Sequence, residues 1–328
     1  MGDAAVACAA MTSTDTPTDG TPRVAPMARP RVYALLGIGL LAVSVSSVLA
    51  AYIIGDSGDG RLGLSIAFWR CAGGALALAP FAVRARRTHP IDSKDRNRLL
   101  WAGAFLAVHF ALFLGSIAYT SVASAATLAT MAGVFVAIGG IWYLNERPSR
   151  RTWAGILITM VGAIAIGGGD LADIALGPRA LFGDAMAFLS SITVAGYLLI
   201  ARKVRSRVHS TTFATVVYGA AGLLLLALCV AFGAPLVGFT TGQWLGIMGI
   251  IVGPQLLGHN IFTTLLSSVP ATVVGVVVLA EPLIATLLAW AFLGQLPAAT
   301  YWFAAPVVLA GLFVATVRRP VRRPQAIT

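Results

Sequence analysis

From Arg31 to Val317 the chain alternates long apolar runs with short polar breaks, and the breaks hold most of its charged residues. Each run is about 20 residues long, the length at which an α-helix crosses roughly 30 Å of hydrocarbon. The runs predict ten helices, at residues 32–53, 61–82, 98–118, 121–144, 152–169, 180–201, 211–233, 242–265, 271–293 and 300–317. A lipid-spanning barrel would instead show short segments in which apolar and polar residues alternate. The expected fold class is an all-α integral membrane protein with ten transmembrane helices.

Composition agrees with the pattern. Of the 328 residues 58% are hydrophobic and 11% charged, with a mean hydropathy of +0.86; soluble domains are about half apolar and a quarter charged. The net charge of +11 admits nucleic acid as a partner, so the placement of the basic residues has to decide. If the first helix starts inside the cell, 20 of the 23 Lys and Arg fall on that side, before the first helix and after the second, fourth, sixth and tenth. Arg61 and Arg179 fall outside, and Arg70 lies within a helix. That bias predicts cytoplasmic N and C termini in a plasma membrane, the inner one of a bacterium. Charge spread over short loops, rather than gathered on one face, argues against nucleic-acid binding.

Cys8, Cys71 and Cys229 have neither an even count nor metal-ligand spacing, so no metal, cofactor or disulfide framework is expected. Residues 1–30, rich in Thr, Asp, Pro and Ala, read as a disordered cytoplasmic tail, and 318–328 as a basic one.

The chain also echoes itself. Shifted by 149 positions without a gap, Leu144 superposes on Leu293, Pro148 on Pro297, Trp153 on Trp302 and Gly162 on Gly311, with Glu146 facing Gln295. Upstream, at an offset of 143, Trp101 matches Trp244, Gly103 matches Gly246, Gly115 matches Gly258 and Thr120 matches Thr263. The expected repeats are 31–169 and 180–317. Each holds five helices, an odd number, so the second enters the membrane from the opposite side, a geometry suited to alternating access.

The stretches "LNERPSRRTWAGILITMVGAIAI", "AFWRCAGGALAL" and "GHNIFTTLLSSVPATVVGVVVLAEPLIATLLAWAFLGQ" resemble the EamA-type repeat of the drug/metabolite transporter superfamily, in two copies from about Arg31 to Val317. The resemblance implies two inverted five-helix halves with a cavity between them, and export of amino acids, metabolites or toxic compounds across bacterial inner membranes. The chain departs from the family pattern at Gln295, where the second copy usually carries Glu, and at Gly133, where the first usually carries Pro.

A carboxylate or guanidinium at a helix centre costs roughly 3 kcal/mol even on lenient insertion scales, so each is a functional candidate. Glu281 lies near the middle of the ninth predicted helix, beside Pro282. It is either a carboxyl that binds solute or proton, or part of a structural kink whose side chain satisfies backbone groups freed by the proline. The ungapped alignment sets Glu281 and Pro282 against Ala132 and Gly133, so both the charge and the break are expected in the second half alone. Arg70 can bind an anionic solute group, pair with Glu281, or snorkel to the outer interface.

Gln255 and His259 share a face of the eighth helix and His109 lies on the third, as candidates for solute contact or proton relay, with interhelical hydrogen bonding as the plainer role. Ser44, Ser47, Ser190, Thr193, Tyr197 and Tyr218 join Pro282 as expected cavity-lining positions, although hydroxyls in membrane helices often serve packing alone. Asp184, close to the outer end of the sixth helix, reads as an exposed cap. Glu146, beside Arg147, Arg150 and Arg151, reads as a salt-bridged cytoplasmic gate.

Together these features point to a secondary transporter in the lipid bilayer, an exporter of small organic solutes by alternating access, with protons as candidate coupling ion. A solute-permeable channel or facilitator is the alternative, without a ring-forming filter motif to support it. An intramembrane enzyme fits less well. The "GGGD" at 167–170 has no partnering intramembrane Tyr-Asp, and neither HExxH nor GxSG with a usable His occurs. Nor is there a P-loop to bind ATP. The pattern sets no oligomeric state.

Overall fold

The computed structural model describes residues 28–88, 91–173 and 177–316, and among them all regular structure is helical. The tails expected over 1–30 and 318–328 lie outside these residues except for 28–30, and so does Cys8; the "GGGD" side chains are likewise undescribed. Ten helical spans follow one another: α1 (Arg29–Ile54), α2 (Gly60–Thr88), α3 (Ser93–Ser116), α4 (Val122–Tyr143), α5 (Arg150–Asp173), α6 (Pro178–Val204), α7 (Ser210–Phe232), α8 (Thr241–Leu265), α9 (Ala271–Leu293) and α10 (Tyr301–Thr316). Eight are long and apolar enough to cross a membrane, and α10 is shorter. In hydrocarbon every backbone group must be satisfied within the chain, which leaves the helix as the form open to these apolar runs. Polar chemistry at the ends stops them. Thr240 and Gln243 form a capping box at the start of α8, and Gly294 ends α9 in the left-handed region, φ 69°.

Three spans are not continuous α-helices. Span α9 breaks at Leu279–Ala280, between Ala271–Val278 and Glu281–Leu293, and α4 breaks at Met131, between Val122–Thr130 and Ala132–Tyr143. The expectation of a break in the second half alone is therefore corrected. In α4 the break forms without a proline, the Met131 N–H making a tightened bond to the Leu128 carbonyl at 3.2 Å. In α9 Pro282 falls in the first turn of the new segment, where its missing N–H is not required, so it is not an interior kink. Span α8 passes through π-helical turns from Ile251 to His259, around Pro254.

Equivalent helices of the two halves run antiparallel. Along α2 and α7, Gly222 lies against Ala72 and Gly74 against Tyr218; along α5 and α10, Gly155 lies against Ala315 and Gly162 against Val308. The end of α4 reaches the start of α9, where Glu146 meets Ala271, and the two spans cross backbone to backbone at Gly133 and Gly275. The remaining pairings exchange when the halves exchange: α3 packs on α6 as α8 does on α1, and α4 on α6 as α9 does on α1. This is the inverted repeat. By alternation, the start of α1 and the end of α10 share one end of the bundle, here the terminal end; the opposite end is the distal one.

Candidate functional site

Between the halves lies a cavity whose envelope of about 680 Å³ takes in space open to solvent. Its wall combines Ser46 of α1, Arg70 of α2, His109, Phe110 and Phe113 of α3, Ala132 of α4, Tyr197 of α6, His259 and Phe262 of α8, and Gly275 and Glu281 of α9. Most of the wall is apolar, so its few polar groups stand out.

Arg70 is 1% exposed and does not snorkel to an interface. Its Nε donates to Gln255 Oε1 at 2.9 Å and its Nη1 to Ser46 Oγ at 3.0 Å, while its guanidinium lies over the Phe110 ring, 3.7 Å from the centroid. Nη2 is buried without a partner, and so is the amide nitrogen of Gln255. Glu281 lines the same cavity, buried at the start of its helix segment, but forms no ion pair with Arg70. The pairing considered from sequence is absent.

Gln255 and His259, expected on one face, take different places at the cavity. Gln255 turns to α2 and stands behind the cavity wall, holding Arg70, whereas His259 lines the cavity with its ring edge-on to Phe110. His109 Nδ1 lies 3.0 Å from the Ser190 carbonyl. A carbonyl only accepts, so Nδ1 carries the proton; the ring stacks on Phe113.

Of the other expected lining residues, Tyr197 reaches the cavity, its buried hydroxyl unpartnered. Ser44 bonds back to the Leu40 carbonyl, Thr193 to that of Ser190, and Ser190 to that of Ala187, so their hydroxyls serve their own helices. Ser47 is buried away from the cavity, Tyr218 lies 3.5 Å from the Gln255 carbonyl, and Pro282 is buried beside Glu281 without lining the space. Sequence reasoning missed Ser46, Phe110 and Phe262. Phe110 adjoins His109 and Phe262 lies near His259, a proximity that could have flagged them. Nothing in α1 distinguishes Ser46 from Ser44 and Ser47, since only the rotation of the helix decides which faces inward.

Both ends of the cavity are bridged between halves. At the terminal end Glu146 Oε1 accepts from Arg202 Nε at 2.7 Å and its Oε2 from the Ala271 N–H at 3.1 Å, while Arg202 Nη1 donates to the Leu266 carbonyl at 2.6 Å. The partner is thus Arg202 of α6, not the neighbouring Arg147, Arg150 or Arg151. At the distal end Asp184 accepts from the Thr120 and Ser124 hydroxyls at 2.7 and 2.8 Å. It ties α6 to the start of α4 and is not an exposed cap. Among the described residues no group of three or more His, Cys, Asp or Glu could hold a metal.

Comparison with known proteins matches residues 31–168 and 181–317 to a family described as the EamA-like transporter family. A protein of Archaeoglobus fulgidus described as an uncharacterized transporter is 27% identical over 288 residues, 86% of this chain and 96% of its own. The pseudopaline exporter CntI of Pseudomonas aeruginosa is 26% identical over 211 residues, 64% of this chain and 71% of its own. A solved crystal structure superposes with a TM-score of 0.68 at 20% identity, covering 87% of this chain and 96% of that one, a likeness of fold.

Proposed function

The chain belongs to the EamA-like transporter family and is a multi-pass membrane transporter, not an enzyme; within that frame we propose that it exports small organic solutes by alternating access. The observation that carries this is the cavity between inverted halves, with a buried guanidinium from one half and a buried carboxyl from the other left unpaired with each other. Ionisable groups buried in hydrocarbon are costly unless something else uses them. Solute binds there, and the halves rock about it, opening the Glu146–Arg202 end or the Asp184 end in turn. Protons couple through Glu281. The bias of basic residues supports cytoplasmic termini in a bacterial inner membrane, with the terminal end facing the cytoplasm. The relative named as a pseudopaline exporter supports the outward direction.

The test is expression in a host lacking its own exporters, challenged with amino acids, cationic dyes and drugs. Export predicts resistance and lowered accumulation for a subset of these solutes. Raised accumulation would reverse the direction, and unchanged handling of every solute, with the protein present in the membrane, would count against transport.

A further inference from the structure

Around Arg70 the protein supplies donors faster than acceptors. Nε and Nη2 form one edge of the planar guanidinium, a fork shaped for a carboxylate. On that edge Nε is met by a neutral amide oxygen, Gln255 Oε1, and Nη2 by nothing; the other nitrogen, Nη1, is met by the Ser46 hydroxyl. The Gln255 amide nitrogen, attached to the same carbon as the oxygen that Arg70 holds, is also buried without an acceptor. No carboxylate lies within ion-pair distance of Arg70 among the described residues. One guanidinium face is covered by Phe110 at 3.7 Å, and Arg70 is among the residues that line the cavity. Buried donors are almost always met in folded proteins, and a buried cation without an anion is the costliest exception.

Resting on the transport reading above, we infer that the cavity selects solutes bearing a carboxylate, which docks on the Arg70 edge beside Gln255 while an apolar remainder lies against Phe113, Phe262 and Tyr197. The solute brings the missing acceptors, with its negative charge in direct contact where the Glu281 carboxyl, on the same cavity wall, makes no ion pair. One guanidinium suits one negative charge. His109 spends its proton on the Ser190 carbonyl, and no Lys or second Arg lines the cavity, so a phosphate dianion would lack a second cation. Gln255 is on this account a positioning residue that holds the guanidinium edge toward the space.

Calorimetry on the purified protein in detergent tests this with three probes: 3-phenylpropanoate, 3-phenylpropanamide and 2-phenylethylphosphonate. The acid is expected to bind at least about tenfold more tightly than the amide and more tightly than the phosphonate, since each charge-assisted bond is among the strong ones. Arg70→Gln should bring the acid-to-amide ratio close to one, and Gln255→Leu, which keeps the charge, should weaken the acid several-fold and leave the amide unchanged. The wild-type comparison stands even if Arg70→Gln fails to fold. An amide that binds as well as the acid, a phosphonate that binds more tightly, or no binding of the acid at millimolar concentration overturns the inference. Each of these leaves export by the host assay untouched; a failure of that assay for every solute would instead sink the transport reading.

Discussion

Ala132 and Glu281 stand 149 positions apart, each as the first residue after the break in a discontinuous helix, and both line the same cavity. The inverted halves thus bring equivalent positions to one place and furnish them differently, one with a methyl and one with a carboxyl. The architecture is symmetric and the chemistry is not.

A single acid at one of two equivalent positions can bias the halves by gaining or losing a proton. Glu281→Gln is therefore expected to abolish flux driven by a pH gradient while leaving solute exchange measurable. Reconstituted protein, assayed with and without the gradient, checks this; gradient-driven flux at the wild-type rate in the variant would reject proton coupling through Glu281.

Pro282 lies in a first helical turn, and the matching break at Met131 forms without a proline. Pro282→Ala should then leave the break in place and shift stability by less than about 1 kcal/mol, with exchange retained. Thermal unfolding and exchange assays check it. A folded variant that has lost exchange would show that the proline itself makes the break.

Much of this was legible in the sequence, for a physical reason: in an apolar chain each polar residue is conspicuous. Ten spans followed from length and hydropathy, and inversion from an odd number of helices per half. Arg70, His109, Tyr197, His259 and Glu281 stood out as candidates and share one cavity in the structure. Rotation about helix axes was not legible. Ser46 faces inward while Ser44 and Ser47 do not, and Gln255 stands behind the wall that His259 lines. The break at Met131 was hidden because no proline marks it. Long-range partners were hidden too, since Arg202 rather than its sequence neighbours meets Glu146.

At the crossing of the two broken helices, a methyl at Gly133 would stand 2.7 Å from the Gly275 carbonyl oxygen and 3.0 Å from Leu279 Cγ. Because the nearer contact is backbone, Gly133→Ala should cost about 1–3 kcal/mol. Gly219, in α7, has nothing within 4 Å of the equivalent methyl position, so Gly219→Ala should be tolerated. Melting temperatures in detergent compare the two; equal losses would mean that the close crossing is not what Gly133 provides.

The Glu146–Arg202 bridge is part-exposed, 19% and 25%, so its worth is about 1 kcal/mol at most. Glu146→Gln should accordingly shift the balance toward opening at the terminal end by up to about fivefold. With native cysteines replaced, Thr263→Cys on the cavity wall would report this as faster labelling by a membrane-impermeant maleimide supplied from that end. An unchanged labelling rate would remove the bridge from the gating scheme.

Counterflow in proteoliposomes tests most directly whether the cavity between the halves carries solute as a saturable site. With a solute identified by the resistance panel, vesicles preloaded with unlabelled solute should take up the labelled form transiently, faster than empty vesicles and with saturation at rising external concentration. Uptake that ignores the internal solute and climbs linearly with concentration would contradict a carrier and indicate an open pore.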